Sequence, residues 1–237
     1  MNSKLSSLGW LVLLLPFFCV SLAHAALSAT FADEVRDVSG FHAIANSGNI
    51  VVEVRLGNRE SLRLEGDDAA IRQIETVVQG GTLKIRFKRQ AQQTNWGKVT
   101  AYVSAKQLDE LQQSGSGSIS VLDPIVGKEL QVSLSGSGKI AFETDMDVCN
   151  ASISGSGRIT ANGRAAQFNA SISGSGRFDG GDLKTQAANL KVSGSGNMGI
   201  HVDRKLDASI SGSGNITYSG DARTNARTSG SGKVRKR

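Results

Sequence analysis

The 237-residue chain carries 28 glycines, two cysteines, three histidines and a formal net charge of +6. Two cysteines cannot build a disulfide-stapled scaffold, and a chain of this length buries a core without one.

Residues 1–25 read as a secretory leader. Lys4 precedes an apolar run from Leu8 to Leu22, and Ala23-His24-Ala25 fits the small-residue pattern of a signal peptidase site. The expectation is cleavage before Ala26, export through the Sec pathway, and residence in the periplasm or at the cell surface. The run is shorter than the roughly 20 residues of a membrane span, and no other apolar stretch approaches that length, so no transmembrane segment is expected after cleavage. Cys19 follows Phe17 and Phe18, which a lipoprotein site does not tolerate, so it leaves with the leader. Cys149 then stands as the single cysteine, and the charge falls to +5 with the loss of Lys4.

Residues 26–113 form a β region of irregular texture. Strand-like runs occur at "FHAIA", "NIVVEVRL", "SLRLEG", "TLKIRFKR" and "VTAYVS", separated by turn pairs such as Gly57-Asn58 and Gly80-Gly81. Asp67 to Ile74 suits a short helical turn, and 90–98, with Trp96, suits an exposed loop. These strands are expected to supply the first coils and a cap.

From 114 to 232 the chain repeats itself. Ser-Gly-Ser-Gly begins at Ser114, Ser135, Ser154, Ser173, Ser193, Ser211 and Ser229, at steps of 21, 19, 19, 20, 18 and 18 residues. Mostly small and apolar residues stand one and three positions before each copy, as Ile153 and Ala151 do, and apolar residues stand two positions after it, as Ile159 does. Ser133, Ser152, Ser171, Lys191 and Ser209 fill the places between. This period-two alternation marks strands with one buried face, and a flexible Gly/Ser linker has no reason to keep apolar columns in register. Ordering a coil of about 19 residues costs on the order of 20–40 kcal/mol of backbone entropy. Each buried side chain returns only about 1.5–3 kcal/mol. One coil cannot fold alone, so coils must stack. The fold expected is an all-β parallel β-helix with 18–21 residues per coil and the tetrapeptide at a recurring corner.

Further columns follow from the same spacing. Gln131, Asn150, Asn169, Asn189, Asp207 and Asn225 stand four residues before the tetrapeptide, as an amide ladder would require. Asn150, Asn169 and Asn215 lie in glycosylation-type triplets, which the regularity assigns to ladders instead. Residues 233–237 form a basic tail, and the apolar-poor stretch from Arg223 to Arg237 is expected to blunt the open end.

The chain resembles the auto-transporter adhesin head GIN domain family. The resemblance runs from about Asp37 to about Tyr218, through "RDVSGFHAIANSGNIVVEV", "IETVVQGGTLKIRF", "VTAYVSAKQLDELQQSGSGSI" and the "GSG" corners. It implies an exported bacterial envelope protein with a parallel β-helix and brings no catalytic residues. No run that would form a translocator barrel follows the repeats, so the resemblance implies surface binding at most.

Catalytic chemistry finds little support. His42 and His201 are the histidines beyond the leader, and no G-x-S-x-G elbow occurs. Gly194 to Gly199 matches G-x-G-x-x-G but lacks the helix that a dinucleotide fingerprint opens. Glu143, Asp145 and Asp147 would share a face if extended, as a calcium site or polysaccharide-cleaving pair would need, or simply a solvated strand edge. No catalysis, cofactor or metal is expected. The expectation is an exported, adhesin-like binding solenoid, with a periplasmic structural or envelope-stress scaffold, or a polysaccharide-active β-helix enzyme, as alternatives.

The candidate binding residues are Lys139, Arg158 and Arg177. Each stands directly after the tetrapeptide and outward by parity, so stacking places them roughly 4.8 Å apart per step. Such a ladder suits an anionic polymer, an acidic glycan or lipopolysaccharide. No aromatic residue interleaves the cations, so no specific nucleic-acid partner is expected.

Overall fold

The computed structural model describes residues 31–89 and 97–237. The expected leader, residues 1–25, and most of the loop around Trp96 lie outside the described residues. The chain is a parallel β-solenoid of about seven turns. Its strands are β1 (Phe31–Arg36), β2 (Ala43–Gly48), β3 (Val51–Leu56), β4 (Ser61–Asp67), β5 (Ile74–Gln79), β6 (Thr82–Phe87), β7 (Val99–Ala105), β8 (Glu110–Gly115) and β9 (Ser118–Val121). They continue as β10 (Ile125–Gly136), β11 (Lys139–Gly155), β12 (Arg158–Gly174), β13 (Arg177–Gly194), β14 (Asn197–Gly212), β15 (Asn215–Ser219), β16 (Arg223–Ser229) and β17 (Lys233–Lys236). One short helix, α1 (Asp68–Ile71), is capped by the Asp67 carboxylate, which accepts from the Ala70 amide.

The tetrapeptides are the corners, and the columns predicted around them hold. Ile153 pairs in register with Leu134 below and Ile172 above, and Ile159 with Ile140 and Phe178. These side chains are buried. Between the corners the alternation slips once: Met146 and Cys149 both point inward, which turns the chain at Asp147-Val148. A coil is therefore a post-corner wall and a pre-corner wall joined by a second bend. Phe168 and Phe178 fill the width between walls, with ring centroids 4.8 Å apart.

The corner belongs to glycine because of what lies one coil away. Gly155 has φ +112°, and a Cβ there would fall 2.7 Å from the Gly136 carbonyl oxygen. The following amide, Ser156 N, donates to that same oxygen at 3.0 Å. Close approach and hydrogen bond are thus one contact, repeated up the stack. The corner serine hydroxyls, which local hydrogen bonding to the backbone could have occupied, make no hydrogen bond among the described residues. Ser137 and Ser156 are exposed, and the backbone carries the corner.

The stack extends upstream of Ser114. Asn46-Ser47-Gly48 pairs residue for residue with Gln113-Ser114-Gly115, so β2 and β3 form a coil with its own corner, 67 residues before its neighbour. The intervening chain folds beneath that coil. Strands β6 and β7 pair parallel to β2 and β3, while β5, β4 and β1 add antiparallel edges. Ala70 and Ile71 of α1 are buried against them and close this end of the core. At the other end β16 and β17 form the last rung, pairing with β14 and β15.

Cys149 sits in an inward column between Leu130 and Phe168. Burial pushes its thiol up from 9.0 to about 12. Because the folded value is the higher one, the associated stability is complete below about pH 9 and is lost as pH rises toward 12. The native protein should therefore resist a maleimide at pH 8, with Cys149 labelled only as urea unfolds the chain. Stoichiometric labelling at Cys149 without denaturant, read by peptide mass, would contradict the burial.

Candidate functional site

The post-corner wall carries the outward residues that were candidates for binding. Lys139, Arg158 and Arg177 occupy one register column on β11, β12 and β13, and all three are exposed. The cost of stacking like charges is reduced at one place: Arg158 Nη1 donates to Asp179 Oδ2 at 2.7 Å, a carboxylate two residues beyond Arg177 on the next coil. Among the described residues Lys139 and Arg177 are in no ion pair. The column continues as Asn197, Asn215 and Lys233, and Asn215 Nδ2 donates to Asn197 Oδ1 at 3.2 Å.

The amide ladder on the pre-corner wall forms in segments. Asn169 donates to Asn150 at 2.8 Å, and Asn150 to Glu129 at 2.8 Å, one coil lower. Asn225 donates to Asp207 at 3.2 Å. Hydrogen bonds from Lys205 and then Asn225 hold the Asp207 carboxyl below its usual range. These bonds occupy the amides of Asn150, Asn169 and Asn215 within the sheet.

The acidic trio is not a metal cage. Glu143 and Asp145 are outward on one wall, but the bend at Asp147 separates the third carboxylate, and Asp145 pairs with Arg164 Nη2 at 2.6 Å on the next coil. No group of three potential ligands converges among the described residues. The histidines are ties between rungs. His42 Nδ1 meets Asp109 at 2.8 Å. His201 joins Ser219 Oγ through Nδ1 and Asp203 through Nε2, each at 2.9 Å. The coil-to-coil register reveals Asp109 and Ser219, which lie 67 and 18 residues from their histidines, whereas Asp203 is two residues from His201 on the same strand. The Gly194–Gly199 motif is a corner followed by strand β14, not a strand-to-helix turn.

A groove of about 260 Å³ lies on the post-corner wall, one to four rungs above Arg158. Arg177 and Asp179 form one side, Asn197, Asn215 and Thr217 its length, and Arg237 the far end. The signal for it in the sequence is Gly199, a glycine outside the corners in an outward column otherwise filled by Thr160, Asp179 and Thr217.

Stacked coils with one polar, cation-bearing wall define a β-solenoid that presents a surface. The sequence matches the family described as "Putative auto-transporter adhesin, head GIN domain" over residues 40–222, and the chain belongs to that family. A putative adhesin from Bacteroides fragilis NCTC 9343 superposes with a TM-score of 0.81 at 19% identity, covering 88% of this chain and 98% of that one. A putative lipid binding protein from Parabacteroides distasonis ATCC 8503 gives 0.73 at 24%, covering 88% and 97%. A putative adhesin from Parabacteroides merdae ATCC 43184 gives 0.66 at 21%, covering 88% and 97%. At these identities the likeness is one of fold. No curated protein matches the chain in sequence. Among the described residues no helix is long and apolar enough to cross a membrane.

Proposed function

We propose that the chain is an exported envelope protein that binds an acidic saccharide, a glycan or the sugar portion of lipopolysaccharide, along its post-corner wall and performs no catalysis on it. The observation that carries this reading is the register column of Lys139, Arg158 and Arg177, exposed on successive coils with two of the three unpaired. A polyanion lying along the helix axis would relieve their repulsion and release its own counterions. The adhesin-like family supports a role in surface attachment.

Replacing all three by Ser, the residue at this position in the coil of β9, should leave the unfolding midpoint nearly unchanged, because the side chains are solvated. Affinity for a long polyuronate should fall at low salt, and the loss should shrink as ionic strength rises. Lys233, Arg235 and Arg237 of the last rung form a second cationic group, so a matching triple Ser variant is measured beside it. Unchanged affinity in the first variant with full loss in the second would move the binding surface to the last rung and overturn the assignment.

A further inference from the structure

Gly199 leaves a gap in an otherwise continuous wall. A Cβ built on it meets nothing within 4 Å, and the same holds for Gly181 beside it. The corner glycines differ: their Cβ positions are filled by backbone one coil away. Neither Gly181 nor Gly199 has positive φ. Glycine here therefore serves neither backbone conformation nor packing, and what it creates is space on the surface. Strand β13 also loses register with β14 between Gly180 and Lys184. Such bulges re-aim the chain locally and recur beside binding sites.

The groups around that space are unlike those elsewhere on the wall. Arg177, with no acidic partner among the described residues, stands on the lower side. Arg237 closes the upper end, held there by its amide, which donates to the Tyr218 carbonyl at 2.8 Å. The two arginines are three rungs apart, about 14 Å along the axis. Between them Asp179 offers the carboxylate oxygen not bound to Arg158, Thr217 a hydroxyl, and Asn197 and Asn215 the amide atoms not spent on the bond between them. Two guanidinium groups that can grip carboxylates flank a floor with hydrogen-bond donors and acceptors and no side chain in the middle. That is the complement of a flat, hydroxyl-bearing ring with acidic groups on its neighbours.

We infer that the groove over Gly199, between Arg177 and Arg237, is a subsite that seats a short acidic oligosaccharide, with one sugar ring over the Gly199 backbone and carboxylates at the two arginines. This rests on the reading of the post-corner wall as a saccharide-binding surface. It adds a place where the chain of sugars is held by shape, whereas the Lys139–Arg158 part of the column acts by charge alone. Binding at the groove therefore depends on ring fit as well as on charge, and falls less steeply with added salt than binding to the column does.

The probe is a hexuronate tetramer, with a neutral hexose tetramer of equal length as control, titrated by calorimetry at low and at moderate salt. The wild-type protein should bind the acidic tetramer and prefer it at least tenfold over the neutral one. Gly199→Leu, which fills the gap from the solvent side, should weaken the tetramer at least tenfold without moving the unfolding midpoint, and Arg237→Gln should do likewise. A Lys139→Ser variant, which leaves the Arg158–Asp179 pair at the groove intact, should keep tetramer affinity while losing part of its affinity for long polyuronate. If Gly199→Leu and Arg237→Gln both bind the tetramer as the wild type does, the subsite is overturned. Binding of long polyuronate but not of the tetramer also overturns the subsite and leaves the charge column standing. Binding of neither overturns both.

Discussion

Ile172→Asp is expected to destabilise the whole solenoid by about 4 kcal/mol or more. Ile172 is 2% exposed and stands in the column between Ile153 and Val192. Its Cγ2 also reaches the coil above, where it lies 2.5 Å from the place a Cβ on Gly196 would take. A carboxylate there has no partner in a wall of apolar side chains, so it must be protonated or expel its coil from the stack. Each coil is held only by its neighbours, so loss in the middle removes support from both directions. Urea unfolding followed by circular dichroism should show the midpoint fall sharply, with Ile153→Asp behaving alike. If either variant fails to fold, Ile172→Ala should show a graded loss of about 2–4 kcal/mol. An unchanged midpoint in that variant would remove Ile172 from the shared core.

The repeat region was legible because its signal is a period: identical corners at nearly constant spacing force the columns, and the columns force the coil. Lys139, Arg158 and Arg177 fall into one register for the same reason. The first coil was not seen as a corner, although Asn46-Ser47-Gly48-Asn49-Ile50 keeps its outline, because 67 residues separate it from its partner and no spacing rule spans such an insertion. There the inward column holds Asn46 and Gln113, both buried and hydrogen bonded to each other at 2.7 Å. A buried polar pair bonded across coils looks, in sequence, like a break in the pattern. The Arg158–Asp179 and Asp145–Arg164 pairs were hidden similarly, since each joins residues 21 or 19 apart whose meeting depends on coil length and side-chain reach. The groove needed the structure most: an empty place is marked only by a glycine, and in a chain with 28 of them one more carries little information.

The glycines themselves supply the sharpest contrast, because the same substitution should have opposite consequences at positions seven residues apart. Gly174 has φ +114°, a region that side-chain-bearing residues rarely adopt, and a Cβ there would lie 2.6 Å from the Gly155 carbonyl oxygen. That oxygen also accepts the Ser175 amide at 2.9 Å, so it cannot retreat without breaking the corner hydrogen bond. Gly194 stacks on Gly174 just as closely, with its Cβ position 2.6 Å from the Gly174 carbonyl oxygen, so a shift at one corner is passed to the next. Strained φ and steric overlap together should make Gly174→Ala cost about 3 kcal/mol or more. Gly181→Ala meets nothing within 4 Å and needs no positive φ. It should be neutral or stabilise by about 0.4–1 kcal/mol, through the lower entropy of the unfolded chain. Urea midpoints measured on the two variants side by side test the origin of the repeat itself. A large drop at Gly174 with none at Gly181 means the corner is kept by the approach of neighbouring backbones. Equal, small effects at both would mean that the corner tolerates a side chain, and the recurrence of Ser-Gly-Ser-Gly would need another cause.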